Sequence, residues 1–63
     1  MRPVPDQVRV AREARRMGQV ELARKCELRQ PTISGLETGR HDPKLSTLRR
    51  IAKALGITIK IGA

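Results

Sequence analysis

Five helix breakers, Gly18, Pro31, Gly39, Pro43 and Gly56, divide this chain so finely that no stretch between them exceeds 12 residues. Isolated helices shorter than about 12–15 residues are marginal in water. Each helix the chain forms must therefore be short and must be held by packing against the others. The apolar spacing within the pieces shows which faces meet.

Pro3 and Pro5 keep the first residues extended. A first helix is expected over residues 6–16, with Val8, Ala11 and Arg15 at helical spacing and Val10 and Ala14 beside them. Gly18 ends it and can cap the next. Residues 19–26 form a second helix of two turns, on which Leu22, Ala23 and Cys26 make one inward stripe. Residues 27–29 read as a tight turn. A third helix begins near residues 30–31, with Gln30 at the cap and Pro31 in the first turn, where proline loses only a free N–H. It turns Ile33 and Leu36 inward and Gln30, Pro31, Ser34 and Thr38 outward, with Gly35 near that outer face. This outer face is slim, polar and uncharged, whereas a solvated helix face normally carries Lys and Glu. After Gly39 comes a loop, then a fourth helix over 46–55 with Leu48, Ile51, Ala52 and Leu55 on one stripe. Arg49, Arg50 and Lys53 lie off that stripe and read as a solvated face.

The tail Ile57-Thr58-Ile59-Lys60-Ile61 alternates strictly, which is the pattern of a strand over 57–61. No other segment offers it a partner. Two tails from two copies would form an antiparallel ribbon through Ile57, Ile59 and Ile61. Alternatively the tail packs as an extended segment on its own chain.

Composition narrows the function. With 14 Lys and Arg against 6 Asp and Glu, the net charge of +8 points to a polyanionic partner, nucleic acid or an acidic membrane. The absence of Phe, Trp and Tyr weighs against modules that stack single-stranded bases on aromatic platforms. No apolar run reaches the ~18 residues of a membrane span, and the start lacks the apolar core of a signal peptide, so a cytoplasmic protein is expected. Short helices broken by Gly and Pro also argue against a long interfacial membrane helix. A chain of 63 residues is marginally stable alone, and oligomerisation is the expected supplement.

Catalysis finds no support. His41 is the sole histidine and reads as a surface loop residue; Cys26 reads as a small apolar filler. No metal-ligand spacing, paired carboxylates or phosphate-cradling loop occurs, so no cofactor and no enzyme activity are expected. Residues 19–38 instead have the length and inward stripe of a helix-turn-helix. In that arrangement the second helix lies across the DNA backbone and braces the third, which enters the major groove. Small side chains allow close approach, and amides and hydroxyls can read donor and acceptor patterns.

The residues also carry a resemblance. Gln19, Leu22 and Ala23; Gln30, Thr32, Ile33, Ser34, Glu37 and Gly39; Pro43, Leu45, Thr47 and Leu48; and the run Ala52-Lys53-Ala54-Leu55-Gly56 together resemble the Xre/Cro/C1-type helix-turn-helix family of phage and bacterial repressors. The ending, followed directly by a strand pattern, is similar to the HigA-like and HipB-like antitoxin branch. The resemblance covers about residues 8–57 and implies an all-α, lambda-repressor-like domain of four to five helices; with the short C-terminal strand read from the tail, expected to pair in a homodimer, residues 1–63 are expected to form a single DNA-binding domain. It implies a sequence-specific repressor on a palindromic double-stranded operator, acting as the antitoxin of a toxin–antitoxin pair and regulating its own promoter.

Roles follow by position. Gln30 would reach a base, with Pro31, Thr32 and Ser34 at or near the groove. Gln19 would hold a phosphate and brace Gln30, while Arg29, Arg40 and Lys44 hold further phosphates. Arg12 and Glu37 match an ion pair between the first and third helices. Two positions depart from the family pattern. Glu27 stands where Gly is usual, at about 1 kcal/mol of strain if the site is left-handed. Gly35 stands where a larger residue, often Arg, is common, which implies one contact fewer. The competing reading is a protein-interaction module of the same fold, neutralising a toxin or assisting a regulator, with only non-specific DNA binding.

Overall fold

The computed structural model describes residues 2–61. Its elements are four helices, α1 (Val4–Ala14), α2 (Gln19–Cys26), α3 (Gln30–Glu37) and α4 (Leu45–Leu55), with no strand among the described residues. α1 and α2 each pack against both α3 and α4. Val8 of α1, Leu22 of α2, Ile33 and Leu36 of α3 and Ile51 of α4 are fully enclosed at the centre. Ala11, Ala23, Cys26, Leu48 and Leu55 complete the core with Met17 from the α1–α2 connection. The core has no aromatic member, and apart from Met17 it is drawn from the inward stripes that helical periodicity picks out, though Ala52, expected on the α4 stripe, is only half-buried. No helix of the described residues is long and apolar enough to cross a membrane.

α1 starts at Val4, two residues earlier than the prolines suggest. Pro3 is the N-cap and Pro5 lies within the first turn, where the missing N–H has no helical acceptor to lose. The helix also stops earlier, at Ala14, because the chain turns through Arg16, which has φ 53°. The Met17 N–H then returns to the Arg12 carbonyl at 3.1 Å. Gly18 is extended and caps α2.

The turn from α2 to α3 depends on Glu27, which is left-handed at φ 58°, ψ 41°. A Cβ in this region costs about 1 kcal/mol, offset here by closure of the helix end, since the Leu28 N–H reaches the Ala23 carbonyl at 2.8 Å. Arg29, rather than Gln30, is the extended N-cap of α3; Gln30 is its first helical residue and Pro31 follows inside the first turn. Gly39 and Gly56 both have positive φ, and Gly56 closes α4 as its C-cap.

The expected strand over 57–61 does not form, and the tail packs on its own chain instead. Ile57 and Ile59 are partly buried against the core while Ile61 stays 58% exposed. The physical reason lies on α1. The Gln7 side-chain amide donates to the Lys60 carbonyl at 2.7 Å and accepts from the Lys60 N–H at 2.8 Å. One side chain thus takes both backbone groups of Lys60, which a neighbouring strand would otherwise use.

Candidate nucleic-acid interface

α3 contributes its N-terminal half to the surface. Pro31 is exposed, and Gln30, Thr32 and Ser34 are half-buried. Arg29 is exposed just before the helix; Arg40 and Lys44 are exposed in the loop after it. Arg29 adds its charge at the positive, N-terminal end of α3, while Arg40 and Lys44 add theirs beyond its C-terminal end. Arg49, Arg50 and Lys53, on the outer side of α4, are exposed as well.

Behind this surface lies a connected polar path. Arg12 grips Glu37 with two parallel bonds, Nε to Oε2 at 2.7 Å and Nη2 to Oε1 at 2.9 Å. Such a fork fixes geometry as well as adding energy. The side chains are 11% and 4% exposed, so the pair is largely withdrawn from water. Arg12 Nη1 also donates to the Met17 carbonyl at 2.7 Å. The bond to Glu37 outweighs desolvation and holds the Arg12 guanidinium above its ordinary pKa.

From Glu37 the path runs outward. Gln19 Nε2 donates to Glu37 Oε1 at 3.2 Å, and Gln30 Nε2 donates to Gln19 Oε1 at 2.7 Å. Its polarity is set from within, because an ionised carboxylate only accepts. Gln19 must turn its NH₂ inward and its oxygen outward, and Gln30 must then donate to that oxygen. The Gln30 carbonyl oxygen and its second N–H remain for an outside partner. Arg12, Glu37, Gln19 and Gln30 thus converge on one network, whereas Arg29, Arg40 and Lys44 stand apart from it. Among the described residues no buried side-chain nitrogen or oxygen lacks a partner.

Two features escape a reading of the sequence. The Met17 carbonyl that seats Arg12 is a backbone group, with no residue-type signal. Gly35 is not an open gap on the outer face: it is buried, because the imidazole of His41 occupies the space where its side chain would project. Residues 35 and 41 meet through the loop, a contact helical spacing cannot show. Cys26 is enclosed between α2 and α4, and burial pushes its thiol pKa up, partly opposed by the charge of Arg50.

A family model described as Helix-turn-helix matches residues 8–61, from α1 through the tail. The chain belongs to the helix-turn-helix family. Within this helix-turn-helix chain, α2 and α3 pack on each other and are joined by residues 27–29. Its similarity extends to Antitoxin HigA1 of Mycobacterium tuberculosis, 49% identical over 45 residues, covering 71% of this chain and 30% of that protein. The Immunity repressor protein of Bacillus phage phi105 is 38% identical over 56 residues, covering 89% and 39% respectively. An HTH-type transcriptional regulator of Sinorhizobium fredii, y4dL, is 41% identical over 56 residues, covering 89% and 29%. The chain therefore spans about a third of the length of the curated relatives it matches. The resemblance to the Xre/Cro/C1-type family and its antitoxin branch holds in these relatives. No solved structure matches the chain.

Proposed function

We propose that this chain is a sequence-specific, double-stranded-DNA-binding repressor, and a binding protein rather than an enzyme. α3 enters the major groove, where Gln30, Pro31, Thr32 and Ser34 face base edges. Arg29, Arg40 and Lys44, with the remaining side-chain N–H of Gln19, hold phosphates on either side and set the register. The observation that carries this reading is the path from the buried Arg12–Glu37 pair through Gln19 to Gln30. It holds a polar head group at the exposed start of α3 in one orientation, which base readout needs and a merely solvated residue does not. The free oxygen and N–H of Gln30 suit a bidentate contact to adenine N6 and N7.

Residues 1–63 act as one DNA-binding domain, and two copies bind a palindrome with half-sites about one helical turn apart. Leu45 and Ile61, 54% and 58% exposed, line an apolar groove with Val4, Pro5, Leu36 and Leu48, and a second copy would cover it. The site of action is bacterial DNA in the cytoplasm. The 49% identity to Antitoxin HigA1 favours an antitoxin that also binds a toxin protein and represses their shared promoter.

The test is a salt titration of binding to two labelled duplexes, the chain's own upstream region and a scramble of equal composition. A preference of about 10³ that survives ~150 mM salt supports the repressor reading. Equal binding that collapses with salt rejects it in favour of a protein-interaction module.

A further inference from the structure

Gly35 stands four residues after Pro31 and three before Thr38, so it shares their outward face of α3. A Cβ there would overlap the Cγ, Cδ2 and Nε2 atoms of the His41 ring. The imidazole is therefore laid over α3 where a residue-35 side chain would stand, and His41 remains exposed to solvent. Its position is anchored through the backbone. The Arg40 and His41 N–H groups both donate to the Gly35 carbonyl, at 2.8 and 3.2 Å. Two residues on, Pro43 restricts the loop further. The neighbouring polar group on this face, Thr38, is occupied, since its hydroxyl donates back toward the Ser34 and Gly35 carbonyls at 3.0 and 3.2 Å.

We infer that His41 is a specificity-determining residue, supplying from the loop the side chain that α3 lacks at Gly35 and donating an imidazole N–H to a purine N7 in the major groove. The inference rests on the docking of α3 proposed above. Glycine at 35 is then what makes room for the reader, and the apparent loss of a contact at that position is a substitution of one side chain by another six residues on. An imidazole always carries at least one N–H donor, and purine N7 is an acceptor presented only in the major groove.

The experiment replaces each purine of the selected operator half-site in turn by its 7-deaza analogue, which lacks N7. Binding is measured for the wild-type chain, His41→Ala and Gly35→Ala, the last chosen because its methyl expels the ring while favouring the helix. At one purine the wild type loses about fivefold to tenfold in affinity and both variants lose nothing. At the purine read by Gln30 all three lose alike, which shows that the variants still fold and dock. Gly35→Ala adds no further loss in the His41→Ala background. If every analogue affects wild type and His41→Ala equally, His41 does not read DNA and the inference is overturned while the repressor reading stands. If the wild type selects no operator at all, the docking itself fails and the inference falls with it.

Discussion

Gln7 and Lys60, fifty-three positions apart, are joined by two hydrogen bonds through a single side-chain amide. Gln7 Nε2 also donates to the Arg2 carbonyl at 2.7 Å, so both ends of the described chain meet at α1. Gln7→Ala removes these bonds at once and leaves the tail held only by Ile57 and Ile59. A stability loss of about 1–2 kcal/mol is expected, since a net hydrogen bond contributes about 1 kcal/mol and this site is exposed. Amide exchange at Lys60 should rise by more than exchange in α2, and an unchanged Lys60 exchange in Gln7→Ala would sink the clamp.

Glu37→Ala leaves the Arg12 guanidinium largely buried without its carboxylate. Removing one partner of a buried pair costs about 3–5 kcal/mol; with Arg12 still 11% exposed, the lower end is expected. Chemical denaturation measures it. The deficit should change little between low and moderate salt, because the pair is withdrawn from the ionic atmosphere.

Glu27→Gly acts in the opposite sense. The left-handed φ of 58° suits glycine, while glycine also enlarges the freedom of the unfolded chain. Relief of strain prevails by about 0.5–1 kcal/mol, visible as a higher Tm. Glu27→Ala, which keeps the Cβ, should show no such gain.

Cys26 sets an alkaline limit. Its pKa in the folded chain is raised above the ordinary 9.0 by burial, so the folded state keeps a proton that the unfolded state has released. The stabilisation is complete below pH 9 and declines as pH rises from there through the folded value. Cys26→Ala should flatten the stability profile above that point. The native thiol should react with thiol reagents only as fast as the chain opens.

Gln19→Ala tests the network in DNA binding. Gln30→Ala should cost about 1–3 kcal/mol of specific affinity and relax preference at one base pair. Gln19→Ala should relax the same pair, and the double variant should cost less than the two singles together, because both break one path. Arg40→Ala, outside that path, should weaken binding to all sequences and lower the salt slope by about one.

Much of this was legible in residue order. Leu22, Ala23 and Cys26, or Leu48, Ile51 and Leu55, face inward because a period of 3.6 is enough to place them. The bounds of α2 follow from Gly18 and the turn after Cys26. The tail takes the second of its two expected courses, packed on its own chain, for a definite reason. Alternation shows which side chains share a face but not what satisfies the backbone, and Gln7 does so from a distant helix. The same limit hid His41 over Gly35. Spacing along a helix carries no information about a side chain returning from the next loop. Pro3 and Pro5 do not delay the start of α1, because a helix's cap and first turn have no use for those N–H groups.

With α3 docked in the major groove as proposed, the fixed polarity of the Arg12–Glu37–Gln19–Gln30 path also limits how base reading at position 30 can change. Gln19 cannot reverse its amide while Glu37 demands a donor, so position 30 always meets an oxygen. Side chains that donate can be exchanged there, and Arg or Lys would redirect the helix toward guanine. A carboxylate would face that oxygen across two lone pairs and lose its anchor. A glutamate reader for cytosine at this position is therefore out of reach by single substitution, and it opens only to a lineage that first rewrites the core behind it.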